Sequence, residues 1–494
     1  MTTEVIDTLQ FSSELQSRFA ALSGDWNPMH MSSLAARRTQ AGRPIVHGIH
    51  TVLCSLDGLV KLSPTLPLPS KLMVKFLKPM YVEDSTTIVK TENAHAQLQI
   101  QARIDGTATT DMRLTLGDYG GLRPTSSLFG GSDDPTCRDL SVGELAGRSG
   151  TVWPTTTPEQ IMTAFPHAAG WLGVEQVAAL LCLSQLVGME CPGLHSLLSG
   201  FAIEFSAEPS PPSLQYLVAS IDQRFRLLKM DVAGLGIRGR VEAFARHPPV
   251  PQVGMEEVSS VVDRNEFAGQ HALVVGGSRG LGEVTAKLLA AGGAHPIITY
   301  AVGKEDAERI VDEIKRWGGD CDSMEYDVRA PPSIQLESLT TPVPYFYYYA
   351  TPQIFRRRTK RFDSAILDDF LAFYVRGFYD LCLALRTSFE QGCSAFYPSS
   401  VALEERPRDM TEYAMAKAAA EILCSDLVRG WSGMHIHLAR LPRLLTDQTA
   451  TLAPTVDPPN PVEVLLPVVR AVQAIRPDHE VPRNSFSQIQ RRSR

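Results

Sequence analysis

The chain has 494 residues, 44 % of them hydrophobic and 20 % charged, which is the make-up of an ordinary soluble globular protein with room for about three domains. A net charge of −7 argues against nucleic acid as the main partner, and no run of 18 apolar residues is present to predict a membrane span. The eight cysteines are scattered without a C-x-x-C pair, which gives no metal-site spacing and suits a reducing, cytoplasmic compartment.

The first ten residues carry acids and no apolar core, so they do not read as a signal peptide. Helical spacing over 14–22 leads into Ser23-Gly24-Asp25-Trp26-Asn27-Pro28-Met29-His30, where Gly24 and Pro28 break regular structure. A bent loop of this kind can aim the Asp25 carboxylate and the His30 imidazole at one water. His titrates near neutrality, and the acid can orient or share the proton.

The wider stretch Phe19-Ala20-Ala21-Leu22-Ser23-Gly24-Asp25-Trp26-Asn27-Pro28-Met29-His30, followed by Ala36, resembles the signature of the MaoC-like, (R)-specific enoyl-thioester hydratases. Met29 departs mildly from the branched aliphatic usual there. The resemblance covers about residues 1–130 and implies a hot-dog fold, an antiparallel sheet around one long helix. It also implies that Asp25 and His30 add water to, or remove it from, a 2-enoyl thioester, with Asn27 and Gly48 binding substrate.

A short helix is expected over 34–38, and Pro44-Ile45-Val46-His47-Gly48 then opens an apolar helix over 48–62, read as the buried one. Its first N–H groups offer unpaired donors and partial positive charge to a developing enolate, and the resemblance places the polarising N–H near Gly48. His47 and His50 flank that glycine and are read first as structural. Strands are expected at 72–80, 86–90, 98–104 and 112–116.

Residues 131–255 echo this pattern: an apolar helical run over 171–187, then strands at 201–209, 214–221, 225–232 and 236–244. We read a second, non-catalytic hot dog without the Asp-x4-His loop, which resembles the double-hot-dog hydratases. Pro192-Gly193-Leu194-His195-Ser196 has no acid at short range and reads as a loop against the acyl channel, as does His167.

Pro248-Pro249-Val250-Pro251 marks a semi-rigid linker to a third domain over 266–480, with a basic tail over 481–494. His271-Ala272-Leu273-Val274-Val275 is a short strand, followed by Gly276-Gly277-Ser278-Arg279-Gly280-Leu281-Gly282 and a helix. This is the order of a dinucleotide-binding α/β Rossmann fold with a doubly wound parallel sheet. Gly276 allows the turn, Gly280 lets backbone approach the pyrophosphate, and Gly282 permits close helix packing, with Ser278, Arg279 and Leu281 also in the cofactor loop. No acid ends the next strand, at Tyr300-Ala301-Val302, to hold a ribose 2′-hydroxyl; Arg279 or Lys304 could pair a 2′-phosphate, so NADP(H) is expected. Asp327 would sit near the adenine.

Tyr413-Ala414-Met415-Ala416-Lys417 puts a phenol and an ammonium on one helix face, and a nearby cation favours the phenolate. With Ser400 at a strand end and the glycine loop, the set resembles the short-chain dehydrogenase/reductase family over this whole domain. The resemblance implies that Tyr413 is the proton donor or acceptor, that Lys417 supports it and binds the nicotinamide ribose, that Ser400 orients the carbonyl, and that Thr446 lies in the loop over the nicotinamide. Three departures stand out: Val275 where the glycine motif usually begins with Thr, Tyr349-Ala350-Thr351 in place of Asn-Ala-Gly, and Tyr374 where the relay Asn is expected.

The combined expectation is a bifunctional enzyme. It reduces a 3-oxoacyl thioester, on coenzyme A or a carrier protein, with NADPH and dehydrates the product to the 2-enoyl thioester in fatty-acid- or polyketide-like biosynthesis. The rivals are the reverse, β-oxidation-like flow with NAD and a hydratase carrying a binding-only reductase domain. No metal is expected, and a homodimer is.

Overall fold

A computed structural model of the chain describes residues 3–39, 41–93, 97–117, 136–206, 208–355, 362–389, 392–449 and 458–476. Two compact units divide the described residues, one ending at Pro249 and one beginning at Val250. The start of the expected second domain, at 131–135, and the basic tail over 481–494 lie outside the described residues.

The first unit is built on one antiparallel ten-stranded sheet. Residues 1–130 supply β1 (Thr3–Gln10), β2 (Pro69–Phe76), β3 (Ser85–Asn93), β4 (Gln97–Ile104) and β5 (Thr107–Leu116). The following stretch supplies β6 (Ser149–Val152), β7 (Ser196–Phe205), β8 (Leu214–Asp222), β9 (Leu227–Gly234) and β10 (Ile237–Ala245). The order β1-β3-β4-β5-β2-β7-β10-β9-β8-β6 is a five-strand pattern repeated in reverse. The two halves join at the centre, where Leu72 pairs Ile203 and Val74 pairs Phe201. Alternation explains the strands: Leu98, Ile100, Ala102 and Ile104 of β4 are buried and their neighbours are not.

Each half lays an apolar helix on this sheet. Helix Gly48–Leu62 buries Ile49, Val52, Leu53, Leu56 and Leu59 completely, at the bounds its spacing predicts. The run over 171–187, read as one helix, is broken. Helix Pro166–Leu172 stops at Gly173, whose φ of 102° only glycine adopts easily, and Val174–Gln185 then widens into a π-turn at Leu186–Glu190. No single described helix is long and apolar enough to cross a bilayer.

The second unit carries a parallel six-stranded sheet among the described residues: β11 (His271–Val275), β12 (His295–Tyr300), β13 (Asp322–Glu325), β14 (Tyr345–Tyr348), β15 (Cys393–Ser400) and β16 (Met434–Leu441). The order is β13-β12-β11-β14-β15-β16. Strand order reverses between β11 and β14, so the crevice beyond their carboxyl ends is where a doubly wound sheet takes a ligand.

Candidate active sites

In the first unit, Ser12 caps helix Ser13–Ser23 and Gly24, at φ 74°, ends it, turning the chain into the Asp25 loop. Asn27 caps the one-turn helix Pro28–Met31, which carries His30. The structure brings Asp25, His30 and His47 together: one donor or acceptor atom of each lies within 4.8 Å of the others. The three are also a donor set that could converge on a metal ion. Asp25 and His47 are buried, and the His30 and His47 rings stack at 3.9 Å.

Hydrogen bonds fix the polarity of this group. His30 Nδ1 lies 2.8 Å from the Ile45 carbonyl, which can only accept, so Nδ1 carries the proton and neutral His30 keeps Nε2 as a base. Asp25 accepts from the Ser184 hydroxyl at 2.6 Å and from the Asn27 N–H at 3.2 Å. Burial raises the Asp25 pKa, against the opposing pull of His30, Ser184 and Asn27. Burial also lowers that of His30, against the pull of Asp25. An acid drawn up and a base drawn down toward each other suit one shared proton and one water.

His47, read first as structural, enters the group. Its ring lies between two acceptors, Gln16 Oε1 at 2.7 Å from Nδ1 and the Asp25 carbonyl at 3.0 Å from Nε2. His50 stacks on Phe19 at 4.5 Å, and burial holds its pKa down to about 3. Gly48 is the first residue of the buried helix, where an N–H has no acceptor within the helix. A Cβ there would meet the Phe76 ring at 2.7 Å.

Asn27 is placed differently from the expected substrate contact. It is fully buried; its Nδ2 donates to the carbonyls of Gly188, Gly193 and Leu194, and its Oδ1 accepts from the Met29 N–H. Its amide ties the loop to the second half of the sheet instead. The 192–196 loop therefore holds the site through its backbone, while His195 lies 3.4 Å from Asp139 and the His167 N–H donates to Asp57.

The second half contributes two residues that sequence reading missed. One is Ser184; the other is Gly188, where an added Cβ would stand 2.1 Å from Asp25 Oδ1. Gly188→Ala is expected to displace the carboxylate and to lower the hydration kcat about a hundredfold, the cost of roughly 1 Å of misplacement, as measured by loss of the enoyl-thioester absorbance. Ser184→Ala removes a bond that favours the carboxylate. It is expected to cost about tenfold in kcat/KM and to move the acid limb of the pH profile upward, because the Asp25 pKa rises further.

In the second unit the glycine loop meets its steric requirements. Gly276 has φ 76°, and a Cβ on Gly282 would stand 2.4 Å from the Gly276 carbonyl. Gly280 opens helix Gly280–Ala291, with Thr446 its nearest neighbour at 3.6 Å from an added Cβ. Ser278 is buried and Leu281 half-buried beside them. The first-turn N–H groups, without acceptors in the helix and approached past a residue lacking Cβ, fit a pyrophosphate. Arg279 stands 3.8 Å from Asp447. The Asp327 carboxylate is held by Arg329 on both oxygens, at 3.0 and 2.7 Å, which commits the group expected near the adenine.

Tyr413 and Lys417 share a face of helix Thr411–Gly430, and Tyr413 hydrogen-bonds Ser400 at the end of β15. The expected lowering of the phenol by Lys417 is not what this geometry gives. Burial raises the Tyr413 pKa, and Ser400 alone opposes the rise. Lys417 Nζ donates to the Pro398 carbonyl at 2.7 Å and lies over the Tyr374 ring at 4.0 Å and the Tyr397 ring at 4.8 Å. Burial holds the Lys417 pKa down to about 7. Tyr374, in the place of the relay Asn, thus floors the lysine, and its hydroxyl bonds Thr351 at 2.5 Å. Val275 is buried in the core, and the Tyr349 hydroxyl bonds Thr285 at 2.6 Å.

Residues 2–112 match the family model "MaoC like domain" and residues 270–344 match "short chain dehydrogenase". Among curated proteins, versicolorin reductase stcU of Emericella nidulans is 40 % identical over 72 residues, which are 15 % of this chain and 27 % of that protein. Elsinochrome reductase 1 of Elsinoe fawcettii is 42 % identical over 60 residues, 12 % of this chain and 22 % of that protein. The chain thus spans about a quarter of the length of the curated relatives it matches. Among solved structures, a 3-oxoacyl (acyl-carrier-protein) reductase from Agrobacterium tumefaciens with NADP bound is 22 % identical over 39 % of this chain and 77 % of that chain, with a TM-score of 0.34. FolM alternative dihydrofolate reductase 1 from Brucella canis, complexed with NADP, is 18 % identical over 36 % of this chain and 76 % of that chain, with a TM-score of 0.33.

Proposed function

From a chain that carries a MaoC-like domain followed by a short-chain dehydrogenase domain, we propose a bifunctional enzyme that reduces a 3-oxoacyl thioester with NADPH and dehydrates the 3-hydroxyacyl product to the 2-enoyl thioester. The observation that carries this reading is the presence on one chain of two sites sharing an intermediate. One is Asp25 with His30 and with His47, the residue before the first N–H of a buried helix; the other is Tyr413 bonded to Ser400, with Lys417 one helical turn on, in a domain that carries a glycine loop. The first unit is read as a double hot dog whose second copy braces the first, and the active set is read as cytoplasmic. The thioester rides on coenzyme A or a carrier protein, and the chain acts as a homodimer. The curated relatives are named as versicolorin and elsinochrome reductases, and we read the reductase domain, with them, as acting in polyketide-like biosynthesis.

In dehydration, one member of the Asp25/His30 pair takes the proton from C2. The other protonates the departing 3-hydroxyl, and the Gly48 N–H supports charge on the thioester oxygen. In reduction, bound NADPH supplies the hydride. Ser400 holds the carbonyl oxygen, Tyr413 gives it a proton, and the Lys417 ammonium stabilises the phenolate left behind.

A second reading rests on the surroundings of Lys417. With its ammonium committed to the Pro398 carbonyl and floored by Tyr374, the reductase domain would bind nucleotide without turnover. The deciding experiment incubates purified protein with NADPH and a short 3-oxoacyl thioester, following nicotinamide absorbance and acyl mass together. NADPH consumption with loss of water supports the coupled reading. Hydration of an added enoyl thioester without NADPH consumption supports the second.

A further inference from the structure

One half-buried charge next to the proposed hydration site has no part in that chemistry. Arg246 follows β10 and is turned inward. Its Nε donates to the Ser196 carbonyl at 3.0 Å and its Nη2 to the Leu194 carbonyl at 3.3 Å, while its own N–H donates to the His195 carbonyl. The Leu194 oxygen is the one that Asn27 Nδ2 also reaches, at 3.4 Å, so the guanidinium stands beside the loop that carries Asp25 and His30. Its charge acts on His30 and on His195.

No carboxylate among the described residues pairs with this guanidinium. Burial alone perturbs it, and its pKa falls to about 10, so it stays a cation at neutral pH. A cation drawn partly out of water without a counter-charge gives up solvation that it must recover from its neighbours. Two neutral carbonyls return only part of that. Of its five N–H groups, two are used by Ser196 and Leu194.

We propose that Arg246 receives an oxyanion or carbonyl oxygen carried on the acyl chain of the substrate, making the hydration site selective for oxygenated over plain aliphatic enoyl thioesters. This inference rests on the reading of Asp25 and His30 as a thioester hydration site. The position argues for the acyl chain over the carrier arm. Arg246 stands beside the loop that carries His30, where its charge is felt, whereas the phosphate of a pantetheine-type arm lies more than ten bonds, roughly 15 Å, from the thioester carbon. An acyl oxygen a few carbons beyond C3 falls within reach of a side chain held on the Leu194 carbonyl that Asn27 also reaches.

The test compares wild type, Arg246→Met and Arg246→Lys on three substrates. They are crotonyl-N-acetylcysteamine, the N-acetylcysteamine thioester of a 2-enoyl chain ending in a carboxylate, and crotonyl coenzyme A. Wild type is expected to favour the carboxylate-bearing chain. In Arg246→Met the ratio of its kcat/KM to that of the crotonyl thioester is expected to fall at least about tenfold, the worth of one charge-assisted hydrogen bond. Arg246→Lys should restore part of that ratio, which a purely structural role would not do. An unchanged ratio in Arg246→Met overturns the proposal, and so does a loss confined to the coenzyme A substrate. If wild type hydrates none of the three, the hydration reading itself fails and takes this proposal with it.

Discussion

Asp25→Asn is expected to abolish enoyl-thioester hydration, with a loss of about 10²–10⁴ in kcat, the usual worth of a positioned acid or base. The substitution keeps shape and burial. The Asn side chain can still accept from the Ser184 hydroxyl, which lies 2.6 Å from the carboxylate in the native chain. What it removes is the ability to exchange a proton with water beside His30. Hydration assayed by loss of enoyl absorbance, with circular dichroism as the check on folding, measures it. Retention of more than a tenth of the activity would mean that His30 works with another group, for which His47 is placed.

The pH dependence of the same assay carries a sign. Burial raises the Asp25 pKa, so the carboxylate form is lost at a higher pH than for an exposed aspartate as acid is added. Burial lowers the His30 pKa, so its base form persists to a lower pH than for an exposed imidazole. The acid limb of hydration is therefore expected to belong to the pair, between the ordinary carboxylate and imidazole ranges. In Asp25→Asn only the His30 titration should remain, moved to lower pH because the carboxylate that raised it is gone.

Much of this arrangement was legible in local sequence. Gly24 and Pro28 announce the break that turns the chain at Asp25, and the apolar spacing after Gly48 gives the buried helix with its bounds. The glycines at 276, 280 and 282 state their conformations by having no Cβ. What local pattern cannot carry is a contact across some 160 positions. Ser184 and Gly188 lie on an apolar helix and its π-turn like any other small residues, yet one bonds Asp25 and the other makes room for it. Asn27 shows the converse: the motif marks it, but only tertiary packing decides that its amide spans to Gly188, Gly193 and Leu194 instead of facing substrate. Gly173 was the available signal that the run over 171–187 is broken, and apolar periodicity on either side masked it. The mismatch at Tyr374 is visible in the sequence, whereas its position beneath the Lys417 ammonium is not.

Tyr413→Phe is expected to remove NADPH-dependent reduction, again by about 10²–10⁴, while enoyl hydration continues, because the proposal makes the phenol the proton donor of the second unit only. The phenylalanine fills the same edge-on place against Phe370 and Tyr374, each at 5.7 Å, so packing survives and the proton alone is lost. The pH dependence separates turnover from mere binding. Since burial holds the Lys417 pKa down to about 7, the ammonium that would stabilise the Tyr413 phenolate is progressively lost above that pH. Reduction should then fall about tenfold per unit on the alkaline side, with nucleotide binding, followed by quenching of protein fluorescence, changing far less. A rate that stays level to pH 9 would mean that bound nucleotide keeps Lys417 charged. A rate equal in wild type and Tyr413→Phe at every pH would instead establish that this tyrosine, one helical turn before a lysine whose ammonium faces Pro398, Tyr374 and Tyr397, does not pass a proton to substrate.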